Sequence, residues 1–163
     1  MNDAPRRLLD FGLLGSGALE QCAIVLVRVS LGLFFAITGA YKLFVAARRK
    51  TMYETLVAAK VPLPRLMTYF VSIVEFVGGY FLIAGFLSSL SSLALLVDMI
   101  VAIVTTKFSE MPKRLPFLNW LNDLLYLPEV LYGLFFVWLI CSGPGKFSVD
   151  YWLAGKLLER VAV

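Results

Sequence analysis

Four ionisable residues stand inside apolar runs long enough to cross a bilayer: Arg28 in the run about 21–44, Glu75 in 66–86, Asp98 in 89–106 and Glu129 in 120–141. A charge facing hydrocarbon costs roughly 2.5–3.5 kcal/mol or more, so each of these needs a partner inside the protein. At 1.5 Å per helical residue, and counted from the side of the termini, Arg28 lies roughly 10 Å deep, Asp98 roughly 10–15 Å, and Glu75 and Glu129 roughly 18 Å. One group per helix, all in the middle zone, predicts a single polar cluster at the core of a bundle. Three carboxyls beside one arginine can bind a polar ligand group and exchange a proton with it. They are equally suited to an ion-pair network that only fixes helix register.

Other candidates lie nearer the boundaries. Lys42, near the end of the first run, either snorkels to the interface or pairs with Asp123 or Glu129 at the start of the fourth. Cys22 opens the first run and Cys141 closes the fourth, at similar depth on one side. Their placement allows a disulfide if that side is oxidising, with small buried hydrophobes as the plainer reading. Arg48, Arg49, Lys50, Lys113 and Arg114 form basic loops suited to docking a partner or lipid headgroups.

The elements that must position these groups follow from hydropathy. Of 163 residues 60% are hydrophobic, and mean hydropathy is +0.84. The chain reads as an all-α membrane protein, a four-transmembrane antiparallel bundle. Residues 1–20 form an interfacial lead-in containing Arg6 and Arg7. Residues 21–142 hold the bundle, and 143–163 a Gly143–Pro144–Gly145 turn with an amphipathic tail helix. A short surface helix is expected over Thr51 to Ala59, ended by Pro62 and Pro64. Pro128 should kink the fourth helix, whose first turns (Asn119, Asn122, Asp123) are amphipathic. Ser148 or Asp150 is the expected cap of the tail helix. Gly32, Gly39, Gly78, Gly79 and Gly85 suit close helix packing.

Composition excludes several functions. There is no histidine, and two cysteines are too few for an iron–sulfur cluster from this chain alone. No phosphate loop or dinucleotide fingerprint is present, so neither metal nor nucleotide is expected. The net charge of +4 belongs to membrane-flanking loops and not to nucleic-acid binding. Four spans place both termini on one side. Eight basic residues in the two opposite loops, against five on the terminal side, put the termini on the periplasmic side.

Arg28-x-x-Leu31-Gly32 with Gly39-x-x-Lys42-Leu43, then Glu75-x-x-Gly78-Gly79 and Gly85, then Gly143-Pro144-Gly145 with Ser148-x-Asp150, resembles the DoxX family of small bacterial membrane proteins. The resemblance runs over about Cys22 to Leu153. It implies a four-helix protein of the bacterial cytoplasmic (inner) membrane. Some relatives are subunits of thiosulfate:quinone oxidoreductase, and others are membrane partners of detoxifying or sulfur-transfer enzymes. The resemblance therefore implies an integral membrane subunit of a quinone-linked oxidoreductase complex. Its partners would be lipids and other subunits, and quinone its cofactor. Phe34, Phe35, Phe76, Tyr80 and Phe135 would supply an aromatic wall for the ring. A purely structural or assembly subunit and a small proton-coupled transporter are the alternatives. The Arg48–Arg49–Lys50 segment and the amphipathic lead into the fourth span depart from the family pattern.

Overall fold

The computed structural model describes residues 17–107 and 116–161, so Arg6, Arg7, Lys113 and Arg114 lie outside the described residues. The chain is an all-α, multi-pass membrane protein. Helix α1 spans Gly17–Phe44, and α2 (Ala46–Ala58) follows a break at Val45. Helix α3 spans Pro64–Ala84, and α4 spans Ser88–Ala102 and runs into a π-helical turn, Ile103–Lys107. Helices α5 (Phe117–Leu125) and α6 (Pro128–Ser142) form a pair bent by 69°, and α7 spans Val149–Val161. Among the described residues three helices are long and apolar enough to cross a membrane, and the bent pair is a fourth if taken as one span.

Two differences from the sequence reading have simple causes. The helix expected from Thr51 begins at Ala46, because the charged Arg48–Arg49–Lys50 stretch contains only good helix formers. Pro128 does more than kink a helix. It occupies the first turn of α6, where its missing N–H is not needed, and so starts a new helix with its own axis. The preceding α5 has no buried residue, as expected of a segment lying at an interface.

The helices do not form an even square. Helix α1 packs most closely on α3, α4 packs on α6, and α3–α4 contacts join the two pairs. Small residues set the first contact. A Cβ added at Gly39 would lie 2.5 Å from the Phe76 amide nitrogen, and one at Gly32 would lie 2.8 Å from the Gly79 carbonyl oxygen. A Cβ at Gly79 would collide with the Ala36 backbone. Backbone therefore touches backbone along Gly32, Ala36 and Gly39, the small-residue packing that replaces hydrophobic collapse in lipid. The facing pairs (32 with 83, 36 with 79, 39 with 76) define one antiparallel register.

The core between the pairs is Ile24, Leu31 and Phe35 of α1, Leu82 of α3, Leu95 and Met99 of α4, and Phe136 and Leu139 of α6. Phe35 sits between the rings of Tyr132 and Phe136, with centroids 5.7 and 5.3 Å away. Outer faces carry exposed Leu26, Phe70, Ile73, Leu93, Val97 and Leu134, which contact lipid. Gly79→Ala should therefore force α1 and α3 apart and destabilise the protein by about 2 kcal/mol. Unfolding in mixed micelles with increasing denaturing detergent checks this, with Gly17→Ala, where an added Cβ meets nothing, as the silent control.

Candidate functional site

The α1–α3 register decides which charges meet. Arg28 lies opposite the Gly85 turn, and Glu75 lies opposite the Gly39–Lys42 turn of α1, roughly 16 Å further along the helix axis. Helical side chains lean toward their own N-terminus. The Arg28 side chain therefore reaches toward the terminal end of the bundle, while Lys42 reaches back into it. The four groups expected in one cluster consequently separate: Arg28 belongs to one site, Glu75 and Asp98 to a second, and Glu129 to neither.

The first site is built around Arg28, which is 2% exposed. Its two terminal nitrogens donate to the carbonyl oxygens of Pro144 (2.6 Å) and Phe147 (2.7 Å). Glu75 is absent from these contacts, and the carboxylate whose charge acts on Arg28 is Asp150. Asp150 in turn accepts from the backbone N–H of Leu87 (2.7 Å) and Ser88 (2.8 Å), and its own N–H donates to the Gly85 carbonyl (3.0 Å). The α4 N-terminus, which has no side-chain cap of its own helix, is thus capped by a carboxylate from the tail. Gly85 has φ +68°, and a Cβ there would collide with the Arg28 guanidinium. Ser148 caps α7 through the Tyr151 N–H (3.1 Å), and Gln21 Oε1 accepts from the Lys146 N–H (2.8 Å). Arg28, Gly85, the Gly143–Pro144–Gly145 turn and Ser148-x-Asp150 are therefore one latch. It ties the tail to the α1 helix and to the α3–α4 turn.

The second site lies at the opposite end. Lys42 Nζ contacts both carboxylate oxygens of Glu75, at 2.6 and 2.7 Å. The Glu75 side chain is 5% exposed and that of Lys42 is 25% exposed. Asp98 on α4 stands within electrostatic range of both. A 2.6 Å bidentate contact at low dielectric is a strong charge-assisted interaction. Lys42 also lines a groove of about 500 Å³ between α1 and α2, with Phe34, Ile37, Tyr41, Arg48 and Thr51 among its walls. On the other face, Asp98 is the one charged residue lining an apolar groove of about 420 Å³ between α3 and α4. The polar group thus reaches from one lipid-facing groove toward the other.

Several expected pairings are corrected. Lys42 does not pair with Asp123 or Glu129, because its side chain leans into the bundle toward Glu75 and the 69° bend carries α5 away. Glu129 joins neither site. It occupies the first turn of α6, where the helix dipole favours a carboxylate, and one of its oxygens is buried without a hydrogen-bond partner. Cys22 and Cys141 are both free and exposed, on outward faces of α1 and α6. The aromatic wall divides: Phe34 and Phe35 meet Tyr132, while Phe76 meets Tyr80 edge to face at 5.0 Å on another face, and Phe135 points outward. Of the docking residues, Arg49 is partly engaged, donating to the Leu43 carbonyl at 2.8 Å, and Lys50 lies 3.8 Å from Glu54. The contribution of Asp150 was missed as a capping group for α4. Its spacing after Gly143–Pro144–Gly145 was the available signal.

A family model described as DoxX matches residues 23–107, more than half of the chain. Comparison with curated proteins and with solved structures finds no match.

Lys42→Met leaves the Glu75 carboxylate buried without its cation. A fully buried pair broken in this way costs about 3–5 kcal/mol; here solvent reaches Lys42, so a loss of roughly 2 kcal/mol is expected. Lys42→Met/Glu75→Gln should recover more than half of it in a double-mutant cycle of micellar unfolding. At the other end, Asp150→Ala should open the tail and raise the rate of trypsin cleavage after Lys146 roughly tenfold, as expected for losing a little over 1 kcal/mol of local stability.

Proposed function

The chain belongs to the DoxX family, and from that membership we propose that it is the membrane-embedded subunit of a quinone-linked oxidoreductase complex. The observation that carries this reading is the position of Lys42. The Lys42 side chain holds the buried Glu75 carboxylate through Nζ, and the same residue lines the α1–α2 groove.

The groove fits an amphiphilic ring. Phe34 and Ile37 supply apolar walls on the bilayer side, and Tyr41, Lys42 and Thr51 supply polar groups at the mouth. When bound, quinone supplies the capacity to take up two electrons and two protons. Lys42 Nζ is placed to donate a hydrogen bond to a carbonyl in the groove. Glu75 holds the ammonium in place, and a proton on Lys42 is within hydrogen-bond reach of Glu75 Oε1 and Oε2. Asp98 adds a second carboxylate within electrostatic range of the Lys42–Glu75 pair. A partner protein supplies the electrons, since this chain has no histidine and two exposed cysteines. The host membrane in this reading is the bacterial cytoplasmic membrane, with α2 and the start of α3, which carry Arg48, Arg49, Lys50 and Arg65, on the cytoplasmic side.

A structural accessory subunit is the second reading, favoured by the Arg28 latch. Arg28 and Asp150 are engaged by backbone groups and hold the tail in place. The two readings differ at Lys42 and Glu75. Gentle detergent extraction followed by extraction of lipophilic cofactors should recover quinone at near-stoichiometric amounts. Lys42→Met and Glu75→Gln proteins should lose most of it. Quinone retained equally in both variants, or recovered only at the level of bulk lipid, would leave the accessory reading.

A further inference from the structure

We infer that the cleft between α2 and the first turns of α3 is a binding site for an anionic phospholipid, which clamps α2 to the membrane surface.

The cleft has a volume of about 420 Å³ and is lined by Arg49, Lys50 and Tyr53 from α2 and by Arg65, Thr68 and Tyr69 from α3. Three cations converge on it. Among the described residues the carboxylate paired with one of these cations is Glu54, 3.8 Å from Lys50 in an exposed pair that contributes little. Arg49 gives one nitrogen to the Leu43 carbonyl and stacks its guanidinium over the Tyr69 ring at 5.6 Å, which fixes the group and leaves its other donors free to face the cleft. Arg65 has no ion pair among the described residues. Rigid guanidinium forks beside a mobile ammonium suit a phosphate, whose oxygens accept several such bonds at once.

The neighbouring surface identifies the source of that phosphate as a lipid. Arg65 lies in the first turn of a membrane-spanning helix, at headgroup level. From that point the exposed side chains of Tyr69, Ile73 and Tyr80, at helical spacing, form a largely apolar stripe down the adjoining face of α3 toward the bilayer centre. Acyl chains of a phospholipid seated in the cleft would lie along this stripe, and a soluble phosphoanion would leave it unused. The clamp also answers a packing need. Helix α2 buries a single residue, Leu56, and follows α1 after one non-helical residue, so protein contacts alone hold it weakly. A phosphate bridging Arg49 and Lys50 to Arg65 would join α2 to α3.

Native mass spectrometry of the intact protein in mild detergent tests this, with phosphatidylglycerol and phosphatidylcholine as titrants. Phosphatidylglycerol should bind preferentially. Its affinity should fall about fivefold for each cation removed in Lys50→Gln and Arg65→Gln. Lys60→Gln, which removes one exposed charge of the same loop from outside the cleft, should change affinity less than twofold. Circular dichroism and thermal unfolding of each variant confirm that it is folded. Equal binding of the two lipids would overturn the proposal, as would an equal loss in Lys60→Gln, which reports net charge alone. Displacement of the lipid by inorganic phosphate at matched concentration would also overturn it and assign the cleft to a soluble phosphoanion.

Discussion

Contact between the backbones of α1 and α3 governs the rest of this structure. Lipid is as apolar as the side chains that face it, so helices gain little by hiding leucine from it. Association depends on close packing and on polar contacts inside. Gly32, Ala36, Gly39 and Gly79 remove the side chains that would hold the helices apart. Once the backbones touch, the antiparallel register is fixed. Register in turn decides that Arg28 lies beside the Gly85 turn and that Lys42 lies beside Glu75. The charges could be satisfied differently only if the glycines met differently.

The two polar sites that result differ in character. At the terminal end, Arg28 and Asp150 are spent on backbone groups: two carbonyls of the tail and two N–H groups at the start of α4. Such bonds are charge-assisted and specific, and they leave little capacity for a ligand. At the other end, the Lys42–Glu75 pair is a side-chain interaction with Asp98 nearby and a groove on each face. A buried ion pair gains little net stability over apolar packing, because desolvation offsets most of the attraction. A group of this kind kept beside open grooves is therefore a better candidate for function than Arg28, whose two terminal nitrogens are both held by tail carbonyls. The asymmetry matches the proposed division between a structural latch and a ligand-facing site.

The surface follows the same logic. Helix α2 carries Arg48 into the α1–α2 groove and Arg49 and Lys50 into the cleft on its other side. One short helix thus borders both the proposed quinone groove and the proposed phospholipid site. Its weak burial means that whatever occupies one groove affects the walls of the other.

The sequence alone determined the class and the family, because a bilayer imposes length and hydropathy on every crossing segment. It also identified Arg28, Lys42, Glu75, Asp98 and Asp150 as residues of consequence, since ionisable groups in or beside such segments are costly to keep. It did not determine their partners. Depth counted at 1.5 Å per residue placed Arg28 and Glu75 about 8 Å apart, a gap that seemed small. The glycine-set register widened it, and the lean of both side chains toward the start of α1, which takes Arg28 away from Glu75 and brings Lys42 to it, completed the separation. Likewise Pro128 announced a disturbance, but only the packed structure set the 69° turn that withdraws Asp123 from Lys42. Pairing is a property of register and side-chain direction between helices distant in sequence, and neither is written in the composition of any one of them.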